Sequence, residues 1–230
     1  MSLFHETERD AILLHLFFGV ITVLTLFISS GISIGLRLCA LVIVYNIMVP
    51  VVALLRRHHE WLAIWLFVFP LSLLQIFPDL FLSSVLGVIV FPDTGSPRVG
   101  DVPLFMGGLW IIPLFIIVLL GRRVQVRFTK NLAILAVCIA SAVLFLGSEA
   151  VLWLIPIWYA HGVTVIAHVA IYLIVPEILL GLFTFLAFET FHIDMIWYRL
   201  GAAFTVMVIY LGNLCFFYLI IEHLIFRFFH

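Results

Sequence analysis

Charge is what this chain has least of. Only 10% of its 230 residues are Asp, Glu, Lys or Arg, against about 25% in an ordinary soluble domain. Hydrophobic residues make up 66%, and the mean hydropathy is +1.33. Such a composition excludes a water-soluble globular protein. The net charge of −1 leaves no basic field for phosphate, which excludes nucleic acid as a partner. The single lysine, Lys130, stands at a helix edge, where it cannot carry an intramembrane Schiff base. Cys39, Cys138 and Cys215 lie in separate apolar segments without CxxC spacing and read as small buried hydrophobes. A GxSxG elbow and a GxxxxGKS phosphate cradle are both missing. Glu189 and His192 form one Glu-x-x-His where a di-iron bundle needs two. The pair His58-His59 sits beside Arg57 in a loop. No metal and no cofactor is therefore expected.

What the chain has in abundance is apolar runs of about 20 residues, enough to cross a hydrocarbon core of about 30 Å as helix. Breaks at charges and at Gly or Pro predict seven spans, near 11–30, 34–55, 61–77, 102–120, 131–154, 163–187 and 198–221. They form one all-α transmembrane domain over 1–230. The acidic start, Met1 to Asp10, runs straight into a span and is no signal peptide, so the first helix is expected to stay. Trp61 to Phe91 is too long for one upright helix. Pro70 and Pro78-Asp79 mark a break, and residues 79–91 read as a short second piece, re-entrant or interfacial. Arg56 and Arg57 lie in one loop, and Arg122, Arg123, Arg127 and Lys130 in another, two crossings away. Positive-inside counting makes both loops cytoplasmic, with the N-terminus inside and the C-terminus outside, as expected of a bacterial inner-membrane protein.

Polar residues inside such spans cost about 2.5–3.5 kcal/mol each when charged, so each asks for a reason. His15, Arg37, Asn46, Gln75, Asp79, Glu149, His168, Glu177 and Asn213 are in or beside spans. Arg37, near a span end, reads as an interfacial anchor. If span six begins near 163, then His161, Thr164, His168 and Tyr172 share one helix face, either for interhelical hydrogen bonds or to line a cavity. Glu177 follows Pro176 and reads equally as a hinge device or an acid. The loop from Val90 to Trp110 holds Asp93, Arg98 and Asp101 among prolines and glycines, a pattern for an ordered cap or gate in which Arg98 pairs with Asp93, Asp101 or Glu149. By depth, Asp79, Asp93, Arg98, Asp101, Glu149, His161 and His168 fall in the outer half of the bundle. Trp153, Trp158 and Tyr159 lie there too, as an aromatic belt or as cavity walls that stabilise a cation. Gly107-Gly108 reads as a close helix contact.

The chemistry left for an enzyme is cofactor-free acid and base catalysis on an apolar substrate. A carboxylic acid kept protonated in an apolar setting can donate to a carbon–carbon double bond. The candidate catalytic groups are Asp79, Glu149, Glu177 and His168. Asp93, Arg98, Asp101, Trp110, Trp153, Trp158, His161 and Tyr172 are candidates for binding or gating.

The run Asp79, Gly87, Phe91, Gly95, Pro97, Val102-Pro103 and Trp110 resembles a stretch of the carotenoid biosynthesis proteins, polytopic carotenoid hydratases to which membrane lycopene cyclases are more distantly similar. The resemblance spans about 35 residues and implies protonation of a terminal isoprenoid double bond, then hydration or ring closure. Asp79 stands where those families often have glutamate, and the paired glutamates of the cyclases are absent. An uncharacterised bacterial membrane family with this loop as its signature describes the chain equally. The competing reading is non-enzymatic, a membrane subunit or a transporter of protons or small molecules. Mutation separates the two, because a structural protein tolerates Asp79→Asn and Glu149→Gln whereas an acid catalyst loses turnover. The expected partners are the lipid bilayer and a hydrophobic small molecule.

Overall fold

A computed structural model of the chain describes residues 6–28, 31–152, 154, 155, 157–191 and 195–225. It is an all-α polytopic bundle whose seven spans are each long and apolar enough to cross a membrane. Helix is the only open-chain way to satisfy every backbone group in hydrocarbon, so a continuous apolar run becomes helix almost regardless of propensity. The elements are α1 (Glu6–Phe27), α2 (Ile34–Leu55), α3 (His59–Leu74), α4 (Ile76–Leu80), α5 (Met106–Leu109), α6 (Ile111–Arg127), α7 (Lys130–Leu152), α8 (Ile171–Phe191) and α9 (Ile196–Tyr218). Single π-helical turns follow α4, at Phe81–Val85, and α9, at Leu219–Ile225.

Neighbouring spans pack in antiparallel pairs, α6 with α7, α7 with α8 and α8 with α9, while α3 packs on α2, α6 and α9. The middle of the bundle is aromatic. Trp61 of α3 meets Phe115 of α6 edge-on with centroids 5.8 Å apart, and Phe67 meets Phe188 of α8 at 5.9 Å. Helix α1 is peripheral and leans on α2. His15 of α1 reaches Tyr45 of α2 at 2.9 Å, and Arg37 donates to the carbonyls of Thr25, Leu26 and Ile28 at the end of α1. Arg37 is thus more than a surface anchor, because it satisfies carbonyls that the helix end leaves open.

The two ends of the bundle differ. At one end Arg122 bridges Glu60 of α3 and Glu189 of α8, Arg123 pairs with Glu60, Arg127 with Glu8, and Asp10 with Arg56 and His58. At the other end the loops cap one another. Gly35 N–H donates to Thr94 O, β1 (Ile89–Val90) pairs with β4 (Tyr159–Ala160), and Thr164 binds Glu222 through N–H and Oγ1. A two-residue strand β2 (Arg98–Val99) turns back on β3 (Val102–Pro103).

Two predicted boundaries are corrected. Residues 79–85 are no separate re-entrant piece, because the helix runs from His59 to Val85 as one span. Gln75 N–H still bonds Leu71 O, and Asp79 N–H bonds Gln75 O. Pro78 falls in the first turn after the Gln75 irregularity, where a missing N–H costs least. Only residues past the π turn leave the helix, and Ile89–Val90 enters a strand pair. Span six begins at Ile171 instead of 163. The β-branched run Val163-Thr164-Val165-Ile166 goes into a hairpin, β5 (Val165–Ile166) with β6 (Val169–Ala170). Its turn residues Ala167 and His168 take φ of 49° and 69°, the left-handed region a two-residue hairpin turn demands. His161, Thr164, His168 and Tyr172 therefore share no helix face.

Gly107 and Gly108 do serve close contact. A Cβ at 107 would come 2.6 Å from Ile76 Cδ1, and one at 108 would come 2.5 Å from Val42 Cγ1.

Candidate functional site

Three carboxyls from three helices meet beneath the capped end. Asp79 sits on α4 and is 5% exposed, Glu177 sits on α8 and is 3% exposed, and Glu149 comes from the last turn of α7. All three line one internal cavity together with Trp110, Trp158 and Tyr210, and with apolar walls from Leu82, Ile89, Phe91, Met106 and Leu173. Its free volume of about 20 Å³ is room for one water, which needs roughly 10–15 Å³.

Each wall has a local cause. Trp110 ends the short α5 turn and begins α6, which aims its indole N–H at Asp79 Oδ2, 3.3 Å away. Trp158 immediately precedes β4, and the pairing of β4 with β1 swings it inward, where its N–H reaches Glu149 Oε1 at 2.9 Å. It is a wall of the site more than a member of a surface belt. Glu177 Oε2 is buried with no hydrogen-bond partner. No Lys, Arg or His lines this cavity among the described residues, and the hydrogen bonds to its carboxyls come from the indole N–H groups of Trp110 and Trp158.

A second cavity of about 290 Å³ adjoins the first. It shares Met106, Trp110, Glu149, Trp158 and Glu177 with the smaller one, and Phe145, Leu38, Leu26 and Pro113 extend its apolar wall toward α1. That volume is near the lower end of the range of about 300–1,000 Å³ for small-molecule sites. Glu149 and Glu177 face both cavities, whereas Asp79 faces only the small one.

Of the residues singled out from sequence, Asp79, Glu149, Glu177, Trp110 and Trp158 are brought together. Tyr172 is fully buried beside them and packs on Tyr218 with centroids 5.5 Å apart, but does not line the cavity. The loop charges are elsewhere. Asp93 Oδ1 accepts from Gly95 N–H, and Asp101 Oδ2 accepts from Ser84 Oγ. Arg98 donates to the carbonyls of Phe91, Pro92 and Asp101. Its expected pairing with a carboxylate of Asp93, Asp101 or Glu149 is replaced by these carbonyls, because a guanidinium spans several backbone acceptors at once. The loop's contribution to the site is apolar, through Ile89 and Phe91. His161 is exposed, as is His168 at the hairpin tip, and neither lines either cavity. Trp153 and His192 lie outside the described residues. Glu189 of the Glu-x-x-His pair accepts from Arg122 and Gln125, and no metal-holding cluster of three or more His, Cys, Asp or Glu occurs among the described residues.

Tyr210, Met106, Phe145 and Leu173 were missed. The only sequence signal was for Tyr210, a polar ring at the middle of an apolar helix, one turn before Asn213.

These features define an integral membrane protein of seven spans with a cluster of three carboxyls, two buried and one partly buried. The chain belongs to the family described as Domain of unknown function (DUF6989), whose model matches residues 76–221. The matched stretch contains Asp79, Trp110, Glu149, Trp158, Glu177 and Tyr210. No curated protein and no solved structure matches the chain.

Proposed function

We propose that this protein is a cofactor-free acid/base enzyme that protonates a double bond of a hydrophobic isoprenoid, in the manner implied by the resemblance to carotenoid hydratases. The observation that carries the reading is the adjoining pair of cavities, one apolar and ligand-sized, the other water-sized, with Glu149 and Glu177 facing both. Glu177, whose Oε2 has no partner, is the donor and starts the cycle as the neutral acid. The alkene π electrons form the new C–H bond, the Glu177 O–H bond breaks, and a carbocation develops at the more substituted carbon. Trp110, Trp158 and Phe145 wall that position and stabilise the cation through their ring faces. Water held between Asp79 and Tyr210 then adds to the cation and gives up a proton to Glu149, whose orientation Trp158 sets. Proton return from Glu149 to Glu177 closes the cycle, and the net reaction is addition of one water. If a second double bond captures the cation instead, ring closure follows, with a proton lost to the same base. In a bacterial inner membrane, the end rich in Arg faces the cytoplasm by the positive-inside rule and the capped end faces out.

The test is mass spectrometry of lipids co-purified with wild type and with Glu177→Gln in mild detergent. The variant should accumulate a polyene or prenyl compound lighter by one water than the wild-type ligand, or isomeric with it if the outcome is cyclisation. Bulk phospholipid alone in both samples would overturn the reading in favour of a transporter or an assembly subunit.

A further inference from the structure

The ligand-sized cavity does not stand alone. A second apolar cavity of about 540 Å³ lies between α1 and α6 nearer the charged end. On α1 the two cavities take Glu8, Ile12 and His15, then Thr22 and Leu26. Along the span formed by α5 and α6 they take Leu109 and Pro113, then Ile116, Leu120 and Arg127. Steps of three, four and seven keep each set on one helix face, so both cavities open along a single seam between antiparallel helices. The gap in the α1 series is at Gly19, which falls on that same face, and a Cβ built there meets nothing within 4 Å. Gly19 lines neither cavity and is exposed, so no side chain stands on this face in the turns between them.

From Glu8 to Leu26 the seam rises about 27 Å at 1.5 Å per residue, nearly the whole hydrocarbon core of about 30 Å. A phospholipid acyl chain covers only one leaflet, about half of that. The ends differ in chemistry. The end at the capped side opens on Glu149 and Glu177, while the other is rimmed by Arg123 and Arg127. Arg123 Nε is buried with no hydrogen-bond partner, and Arg127, paired with Glu8 through one nitrogen, is about half exposed. Arg127 thus keeps exposed guanidinium N–H groups at a membrane interface, suited to phosphate, and Arg123, which pairs with Glu60, adds a second positive charge beside it.

We infer that the α1/α6 seam seats one extended prenyl chain of transbilayer length carrying an anionic phosphate head, with the head at Arg123 and Arg127 and the far end of the chain at Glu149 and Glu177. This rests on the isoprenoid reading above and adds the length and head group of its substrate. The chain enters from the leaflet at the charged end, and only a tail long enough to pass Gly19 reaches the acids.

Binding is measured on the full-length protein in lipid nanodiscs by native mass spectrometry, with a long-chain polyprenyl phosphate, farnesyl phosphate, the neutral long-chain prenol and phosphatidylglycerol as probes. Wild type should prefer the long polyprenyl phosphate over all three others. Gly19→Leu, whose Cβ meets nothing within 4 Å, should weaken the long phosphate by roughly tenfold or more while leaving farnesyl phosphate unchanged. Arg127→Gln should weaken both phosphates by roughly tenfold, as loss of a charge-assisted contact requires. Leu120→Trp narrows the seam from the other helix and provides a second obstruction should Gly19→Leu fold poorly. Equal binding of the neutral prenol overturns the head-group assignment. Equal competition by phosphatidylglycerol, or indifference to both obstructing variants, overturns the seam as a prenyl site. Retained binding without any product in wild type would sink the acid chemistry and leave this inference standing. Turnover that survives Gly19→Leu, Leu120→Trp and Arg127→Gln would do the reverse.

Discussion

Gly181→Ala is the substitution whose outcome the geometry decides most sharply. Gly181 lies one turn below Glu177 on α8, against Ser141 of α7, the helix that carries Glu149. A Cβ at 181 would overlap Ser141 Oγ, come within 2.9 Å of Ser141 Cβ and meet Ile117 Cδ1 at 3.4 Å. In an isolated helix Gly→Ala gains about 1 kcal/mol from propensity. Here it forces Ser141 Oγ off Val137 O, a bond of 2.8 Å in a fully buried side chain, worth about 1 kcal/mol. The remaining overlap with Ser141 Cβ spreads the helices, at the 1–3 kcal/mol typical of overpacking. The steric terms win, for a net loss of about 1–3 kcal/mol. The two acid-bearing helices move apart, so turnover in the proposed reaction is expected to fall with stability. Ser141→Gly in the same protein removes both Ser141 atoms in contact and should restore stability to within about 1 kcal/mol of wild type, because the helix-propensity gain of Ala at 181 offsets the cost of Gly at 141 and of the lost Ser141 hydrogen bond, a non-additive rescue expected of touching sites. The assay is reversible unfolding in mixed micelles, with product formation measured alongside. A neutral Gly181→Ala, or a Ser141→Gly that rescues nothing, would refute the claim that this contact sets the α7–α8 separation.

Other expectations follow from the same contacts. Trp158→Phe keeps an aromatic ring but removes the N–H on Glu149 and should lower turnover in the proposed reaction by roughly tenfold to a hundredfold with unfolding unchanged within about 1 kcal/mol; full activity would show that Glu149 needs no positioning. Asp79→Asn should retain substrate binding and lose hydration at least as strongly, because Asp79 faces only the water-sized cavity, and a ligand-binding defect with normal turnover would contradict that division. Arg122→Gln leaves Glu60 and Glu189 without their common partner and should cost about 2 kcal/mol, below the 3–5 kcal/mol of a fully buried pair because the side chains are 15–23% exposed. Thermal unfolding in detergent reads it, and an unchanged midpoint would make the charged end ornamental. Tyr45→Phe should loosen α1, at about 0.6–1.7 kcal/mol for one interhelical hydrogen bond in a membrane; a double-mutant cycle with His15→Ala that shows no coupling would deny that tether.

Span number, the charged end and the identity of the costly residues were all legible in the sequence, because they depend on local quantities. Hydrocarbon forces any long apolar run into helix, and a charge in that run is expensive wherever its neighbours lie. The Gly107-Gly108 contact was legible for the same reason, as small residues between apolar ones. The helix period misled at 161–172, where β-branched residues and a left-handed turn make a hairpin of what hydropathy alone reads as membrane helix. The loop charges misled too, since Arg98 finds backbone carbonyls a few residues away before it finds any carboxylate. What only the tertiary structure decided is which acids share a cavity. That depends on how far each helix is rotated about its own axis, and the rotation is set by contacts between residues distant in the chain, such as Gly108 on Val42 and Gly181 on Ser141. Hydropathy carries no record of such contacts, so it could place Asp79 and Glu149 together by depth but could not say that they face each other and Glu177 across a space the size of a water molecule.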